Sequence, residues 1–280
     1  MLMWQEVLAL IPDEDKVAPL QFEKFFFRSR NFSTLRLKAL NGKLPELRNR
    51  HVSWRVFLNL LPETDSLPTW VQHTQQLRTE YSRLSKGHDT VVVADEHPLS
   101  PAASNPWNTQ FEERQLRAII KQDVDRTNQT LAIFRTEAVK EVLTRILMTW
   151  ARRNPAISYH QGMNELAGVL LYVAVCEQAA FEVDIEPEAA HFLRQLNDPE
   201  EVEADVFWMF SSIMSLGIKE LYRGRDVQED PSPLDLQPKR RGASVLKRIN
   251  DIHHVYLKFT DPQLYTAMEN NGVEPQLYLL

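Results

Sequence analysis

The stretch between residues 161 and 181 is apolar on nearly every side of a helical wheel. A helix of this kind must be enclosed by other elements, because removing apolar side chains from water is the main force in folding. Its most apolar part, from Leu166 to Cys176, is too short to span a bilayer. The segment therefore predicts the central buried helix of a globular fold.

Helical periodicity recurs on both sides of this segment. Apolar residues spaced three and four apart predict helices over residues 68–85, 111–127 and 136–153. Glycine is scarce, with 8 residues against 16 prolines in 280, and strong helix formers fill the segments between the prolines. The sequence therefore predicts an all-α protein, long enough for one large domain or two small ones.

Two segments and the end of the chain differ from this pattern. Residues 86–108 are rich in Pro, Ser and Asn, and residues 223–241 mix charges of both signs with three prolines, so both are predicted to be long loops. Residues 276–280 form an apolar run that no helix cap follows. We expect this end to be a cut within an element.

Composition excludes several classes of function. The net charge of −6 and the pI near 5.8 argue against nucleic acid as the main partner. A disulfide within the chain is impossible because Cys176 is the one cysteine, so a reducing compartment is expected. Cys176 lies in an apolar run and is predicted to be a small buried residue rather than a reactive thiol. The first 20 residues lack the basic region and cleavage pattern of a signal peptide.

Motifs for a bound metal or nucleotide are missing from the sequence. The histidines, including His51 and the pair His253 and His254, do not show the spacing of metal ligands, so no zinc site is expected. No glycine-rich phosphate loop, CxxC or HExxH pattern is present. Any phosphate chemistry would therefore involve a nucleotide that another protein holds.

A first motif lies at the end of the helix predicted over residues 111–127. Asp123 precedes Arg126 by three positions, so both side chains share one helix face and the carboxylate can hold the guanidinium. Thr127 and Asn128 then end the helix, which leaves Arg126 at a rim. The alternative is an ordinary helix-end arginine that binds the last carbonyl groups.

A second motif lies where the apolar helix is predicted to begin. Gln161 and Gly162 follow Tyr159, and a polar side chain at this position can project towards a partner. Gly162 would allow another backbone to approach closely. The alternatives are a polar cap for Gln161 and a packing role for Tyr159. In GTP hydrolysis, an arginine can neutralise the charge that develops on the transferring phosphate, and a glutamine can orient the attacking water.

Together, the two motifs resemble those of the TBC domain, the catalytic module of Rab GTPase-activating proteins. The IxxDxxRT signature is matched by Ile120, Asp123, Arg126 and Thr127, and YxQGM is matched from Tyr159 to Met163. Weaker similarities extend the resemblance over residues 34–280, after an N-terminal extension of residues 1–33. The wording of the second motif and the long insert before the first are most similar to the endosomal, retromer-associated branch of the family.

The resemblance implies an all-α fold and a mechanism with two fingers that act in trans on a GTP-bound Rab. Arg126 and Gln161 would be the catalytic residues, supported by Asp123, Tyr159, Thr127, Gly162 and Arg48. The protein would have no cofactor of its own, since GTP and Mg²⁺ would belong to the Rab. The resemblance also implies that the C-terminal part of the domain is missing from this chain.

Three functional hypotheses follow. The first is a GTPase-activating protein in vesicle trafficking, cytoplasmic and peripheral on endosomal membranes. The second is a catalytically weak TBC scaffold that binds a Rab or a retromer-type coat. The third is a helical protein whose motif matches arise by chance. Intact Arg126 and Gln161 favour the first hypothesis, and the expected missing lobe favours the second.

Overall fold

The computed structural model describes residues 2–13, 15, 22–47, 49–86, 106–178, 186–219, 249–273 and 275. The described part of the chain is helical and contains no strand, which confirms the predicted all-α class. Backbone contacts divide the chain into two units, residues 1–212 and residues 213–280.

The first unit contains ten α-helices and three shorter helical segments among its described residues. The α-helices are α1 (Leu2–Ala9), α2 (Phe32–Leu40), α3 (Leu44–Leu47), α4 (Arg50–Phe57), α5 (Leu67–Lys86), α6 (Pro106–Asp125), α7 (Glu137–Arg153), α8 (Met163–Cys176), α9 (Pro187–Leu196) and α10 (Val202–Ile213), whose last residue crosses the border. A π-helix spans Glu23–Arg28, and 3-10 helices span Ala132–Arg135 and Pro199–Glu201.

The second unit has a π-helical segment at Met214–Ile218 and another at Ile252–Leu257. Two α-helices follow, α11 (Lys258–Thr260) and α12 (Pro262–Asn270). Asp261 begins α12, because its side chain accepts a hydrogen bond of 2.9 Å from the Leu264 N–H. The chain leaves α12 through Gly272, whose φ of 61° suits a helix end.

Helix α7 illustrates why the predicted helices form. The Thr136 hydroxyl accepts a hydrogen bond from the Val139 N–H at its start, and Asn154 binds the Trp150 carbonyl oxygen at its end. Ten of its residues are buried, because its apolar positions face α6 and α8. Its bounds, Glu137–Arg153, agree with the predicted residues 136–153.

Helix α8 is the buried helix that the sequence predicts, but it begins later. Ten of its fourteen residues are buried, including Met163, Leu171 and Cys176. The prediction that the helix starts at Gln161 is wrong. Gly162 has a φ of 98°, which a right-handed helix does not accommodate, so it caps the helix and leaves Gln161 in the preceding loop. Residues 179–181 of the predicted helix lie outside the described residues.

The two predicted long loops lie largely outside the described residues. Helix α5 ends at Lys86, and α6 begins at Pro106. The first predicted loop, residues 86–108, therefore ends before Pro106, earlier than predicted. Residues 87–105 and 223–241 are not described. The prediction of loops there stays a prediction.

An aromatic cluster joins the start of the chain to α5. Phe22, Phe26, Phe32 and Trp70 are buried, and the ring centroids of Phe26 and Phe32 lie 6.2 Å and 6.0 Å from that of Trp70. Ring pairs at this separation add to the stability from burial. Aromatic residues from the predicted N-terminal extension of residues 1–33 are therefore part of the core formed with α2, α4, α5 and α9.

A buried ion pair ties α5 to α9 and α10. Asp205 accepts two hydrogen bonds from Arg78, of 3.0 Å to Nε and 2.7 Å to Nη2. Arg78 and Arg55 each donate to the Leu196 carbonyl oxygen at the end of α9. Burial opposes ionisation of Asp205, but both arginines outweigh it and lower the pKa of this carboxyl.

A buried glutamate, Glu177, follows α8 and caps α4. Its carboxylate accepts hydrogen bonds from the backbone N–H of Arg50 (2.5 Å) and of His51 (3.0 Å). Complete burial raises the pKa of Glu177 to about 7, although these N–H groups and Arg50 act in the opposite direction. Burial, with nearby Arg55, also lowers the pKa of His51 to about 4. Two neighbouring buried groups therefore have pKa values that are shifted in opposite directions.

Candidate functional site

Arg126 lies just beyond the end of α6. Ile120 and Val124 are buried and anchor the last turns of the helix, so the opposite face points outwards. The Arg126 N–H bonds the Asp123 carbonyl oxygen at 3.2 Å, which tightens the final turn. Its guanidinium donates from Nη2 to Asp123 Oδ1 at 2.5 Å, the contact that the i, i+3 spacing predicts. The side chain of Arg126 stays 56% exposed.

Gln161 lies in the loop that connects α7 to α8, residues 154–162, here called the glutamine loop. The Asn154 carbonyl oxygen accepts from the N–H groups of Ile157 (3.0 Å) and Ser158 (2.8 Å), which turns the chain back after α7. Ser158 and Gly162 have positive φ angles of 58° and 98°. Gln161 is exposed between these two turns.

Tyr159 connects the glutamine loop to α6. The ring is buried, and its hydroxyl donates to Asp123 Oδ2 at 2.8 Å. Burial and the Asp123 carboxylate raise the pKa of the Tyr159 hydroxyl, so it stays protonated and remains a donor. Asp123 therefore holds Arg126 with one carboxylate oxygen and Tyr159 with the other.

Asn164, in the first turn of α8, was not among the predicted site residues. It is buried, and its Nδ2 lies 2.8 Å from Thr127 Oγ1 and 3.2 Å from the Asp123 carbonyl oxygen. Its Oδ1 accepts a hydrogen bond of 3.1 Å from the Gly162 N–H. The signal in the sequence was a polar residue directly after Met163, in the first turn of a helix that is mostly apolar.

A close approach between α8 and the end of α6 accompanies these bonds. A Cβ atom added to Gly168 would lie 3.1 Å from the Thr127 methyl carbon, closer than side chains normally pack. Gly168 is one turn beyond Asn164 on the same face of α8. The absence of a side chain there allows Thr127 to lie against the helix.

Most of the predicted site residues are thus brought together. Asp123, Arg126, Thr127, Tyr159 and Gly162 belong to one hydrogen-bonded group with Asn164. Gln161 is adjacent to this group in the chain, and its side chain is exposed. The remaining predicted supporting residue, Arg48, lies outside the described residues.

Within the second unit, two histidines and a glutamate converge. The ligand atoms of His253, His254 and Glu269 all lie within 4.8 Å of one another. Sequence spacing did not reveal this set because Glu269 belongs to a later helix, α12. His253 Nε2 is 2.9 Å from Glu269 Oε1, so a direct hydrogen bond already joins two of the three residues.

None of the described helices combines the length and the apolar character that crossing a membrane requires. The predicted burial of Cys176 is confirmed. Burial raises the pKa of its thiol to about 11, which leaves little of the reactive thiolate at neutral pH.

Comparison with known proteins places these residues in a family. TBC1 domain family member 5 of Homo sapiens is 29% identical over 276 residues, which cover 92% of this chain and 34% of that protein. The GTPase-activating protein gyp1 of Schizosaccharomyces pombe is 24% identical over 87% of this chain and 40% of that protein. This chain therefore spans about a third of the length of the human relative.

A solved structure has the same fold. The crystal structure of the Ypt/Rab-GAP domain of Gyp1p superposes with a TM-score of 0.57 at 22% identity, over 91% of this chain and 68% of that one. The sequence pattern of the Rab-GTPase-TBC domain matches residues 99–280, which include both predicted motifs. The chain therefore belongs to the Rab-GTPase-TBC domain family.

Proposed function

We propose that this chain is a GTPase-activating protein that stimulates GTP hydrolysis by a Rab-family GTPase. Arg126 would neutralise charge that develops on the transferring phosphate, and Gln161 would orient the attacking water. Both side chains would act in trans. GTP and Mg²⁺ would be held by the partner, and this chain would bring no cofactor of its own.

One observation carries the proposal, namely the bond of 2.8 Å between Tyr159 and Asp123. It attaches the loop that bears Gln161 to the residue that holds Arg126. Arg126 keeps an exposed side chain whose guanidinium is already bound at one edge, while its remaining donors are available to a phosphate. Prior orientation of such donors is what electrostatic catalysis requires.

The partner and the location are extensions of the same proposal. The partner would be a Rab in its GTP form, because the γ-phosphate is the group that Arg126 would contact. The similarity of the second motif to the endosomal, retromer-associated branch of the family extends the proposal to a retromer-type coat as a further partner. It also extends it to cytoplasmic action, with peripheral contact to endosomal membranes.

The test is GTP hydrolysis by a panel of GTP-loaded Rabs in the presence of this chain and its variants. Arg126→Ala is expected to lower the stimulated rate by about 10³-fold or more, as for other arginine fingers. Gln161→Ala is expected to lower it as well. Arg126 forms a partly exposed ion pair, so its loss should change the free energy of unfolding by no more than about 1 kcal/mol.

Two exposed residues serve as matched controls. Arg194→Ala makes the same change in the last turn of α9, and Gln76→Ala makes it on the exposed face of α5. Both should leave hydrolysis unchanged. The proposal is refuted if the folded parent chain accelerates no Rab in the panel, or if Arg126→Ala is as active as Arg194→Ala. Binding of a GTP-loaded Rab without acceleration would instead support the scaffold hypothesis.

A further inference from the structure

Asn164 contacts both loops that carry a proposed finger. Its Nδ2 donates to Thr127 Oγ1 at 2.8 Å, in the loop of residues 126–130, here called the arginine loop. Its Oδ1 accepts from the Gly162 N–H at 3.1 Å, in the glutamine loop. A single amide, 3% exposed, therefore bridges two segments that are 35 positions apart (127 and 162).

The orientation of the amide is fixed by its neighbours. The Gly162 N–H needs an acceptor, so the oxygen must face the glutamine loop and the nitrogen must face the arginine loop. On that side the nitrogen lies 3.2 Å from the Asp123 carbonyl oxygen, which is a further acceptor. If the oxygen and nitrogen of the amide exchanged places, the Asn164 NH₂ group would face the Gly162 N–H, and neither could accept a hydrogen bond.

These bonds complement those of Tyr159. The Tyr159 hydroxyl fixes the Asp123 carboxylate, whose other oxygen holds Arg126. Asn164 fixes the backbone of Asp123 and the side chain of Thr127, whose hydroxyl also donates to the Asp123 carbonyl oxygen at 3.1 Å. Without the amide, Asp123 would keep the contacts of its carboxylate, but the start of the arginine loop would lose its bond to α8 and the Gly162 N–H would lose its acceptor.

We propose that Asn164 is a positioning residue that holds the arginine loop and the glutamine loop in a single preformed unit. Its catalytic consequence rests on the proposed function. Because a displacement of about 1 Å in a catalytic group costs about 100-fold in rate, loss of the bridge should lower kcat by about that factor. Asn164 is buried, so we do not expect it to contact the Rab, and KM for the Rab should change little.

The test compares Asn164→Ala with Val206→Ala by kinetics and by hydrogen exchange. Val206 is fully buried in α10, so its truncation lowers stability without touching either loop. Asn164→Ala should reduce kcat by about 100-fold and should accelerate amide exchange at Gly162 and across residues 123–128. Val206→Ala should leave kcat unchanged and should not accelerate exchange selectively in the two loops.

Thr127→Val provides a second variant if Asn164→Ala does not fold. It removes the hydroxyl that accepts from Asn164 and keeps the shape of the side chain. The same loss of kcat and faster exchange in the two loops is expected. The proposal is overturned if exchange in both loops stays at the parent rate, or if kcat falls no further than in Val206→Ala. If the parent stimulates no Rab, the proposed function fails, while the exchange data still decide whether Asn164 joins the loops.

Discussion

Glu177 offers a test of how the core tolerates an acidic group. The carboxyl is fully buried, and burial raises its pKa from the ordinary 4.5 to about 7. Glu177→Gln removes the titration but keeps the size of the side chain. The NH₂ group of the glutamine would face a backbone N–H of Arg50 or His51, which destabilises the variant. This contribution does not depend on pH, so it adds a constant to the pH-dependent difference between variant and parent.

The magnitude follows from linkage between proton binding and folding. Between pH 4.5 and about 7, the folded protein keeps a proton that the unfolded chain has released, so the free energy of unfolding falls as the pH rises. At about 1.4 kcal/mol for each unit of pKa, the whole loss is about 3 kcal/mol. Of this, about 2 kcal/mol falls between about pH 5.5 and about pH 8.

His51 complicates the measurement on the parent alone. Its pKa is lowered from 6.5 to about 4, so the unfolded chain binds the extra proton in that range and the free energy of unfolding rises with pH. The two effects partly cancel between about pH 5 and pH 6.5. His51 is present in both proteins, so the difference between variant and parent isolates Glu177.

The assay is urea unfolding of parent and variant at about pH 5.5 and about pH 8, followed by tryptophan fluorescence. The free energy of unfolding of the variant, minus that of the parent, should rise by about 2 kcal/mol between the two pH values. Glu188→Gln, an exposed change in the first turn of α9, should show no such rise. An equal difference at both pH values would refute the reasoning, because it would mean that Glu177 is ionised in the folded protein throughout.

Three further predictions concern packing and reactivity. Asp205→Ala should lower the free energy of unfolding, measured in urea, by about 3 to 5 kcal/mol, because it leaves the buried charge of Arg78 without its carboxylate partner. A decrease of less than about 1 kcal/mol would contradict this. Gly168→Ala should lower the free energy of unfolding by about 1 to 3 kcal/mol in the same assay, because the hydrogen bond of Thr127 prevents it from moving away from the added methyl group. An increase of about 1 kcal/mol, which helix propensity alone predicts, would show that Thr127 does move. Cys176 should resist iodoacetamide at neutral pH in the folded protein and react only after unfolding, as mass spectrometry would show.

Helices with strong local signals could be predicted from the sequence. The bounds of α7 follow from a polar residue that caps its start, Thr136, and from Asn154 and Pro155 at its end. The contact between Asp123 and Arg126 was also predictable, because a helix brings residues three apart onto one face. In both cases the information lies within a few positions along the chain.

What could not be predicted depends on distant partners. Tyr159 donates to a carboxylate 36 positions away, and Asn164 to a hydroxyl 37 positions away. Neither pairing follows from periodicity, since it arises only when α8 packs against the end of α6. The start of α8 was placed too early for a related reason: Gly162 takes a left-handed conformation that composition alone does not reveal.

The aromatic cluster at the start of the chain shows that the region matched by the family pattern is smaller than the unit that folds. The family pattern begins at residue 99, whereas Phe22, Phe26, Phe32 and Trp70 precede it and are buried in the core. A fragment cut at residue 99 would keep every residue of both loops and lose α2, α4 and α5. Its remaining helices would expose apolar faces to water, and it would be prone to aggregate. If such a fragment were inactive, the cause would be the loss of the helices that pack against it. The result would say nothing about the catalytic competence of Arg126 and Gln161.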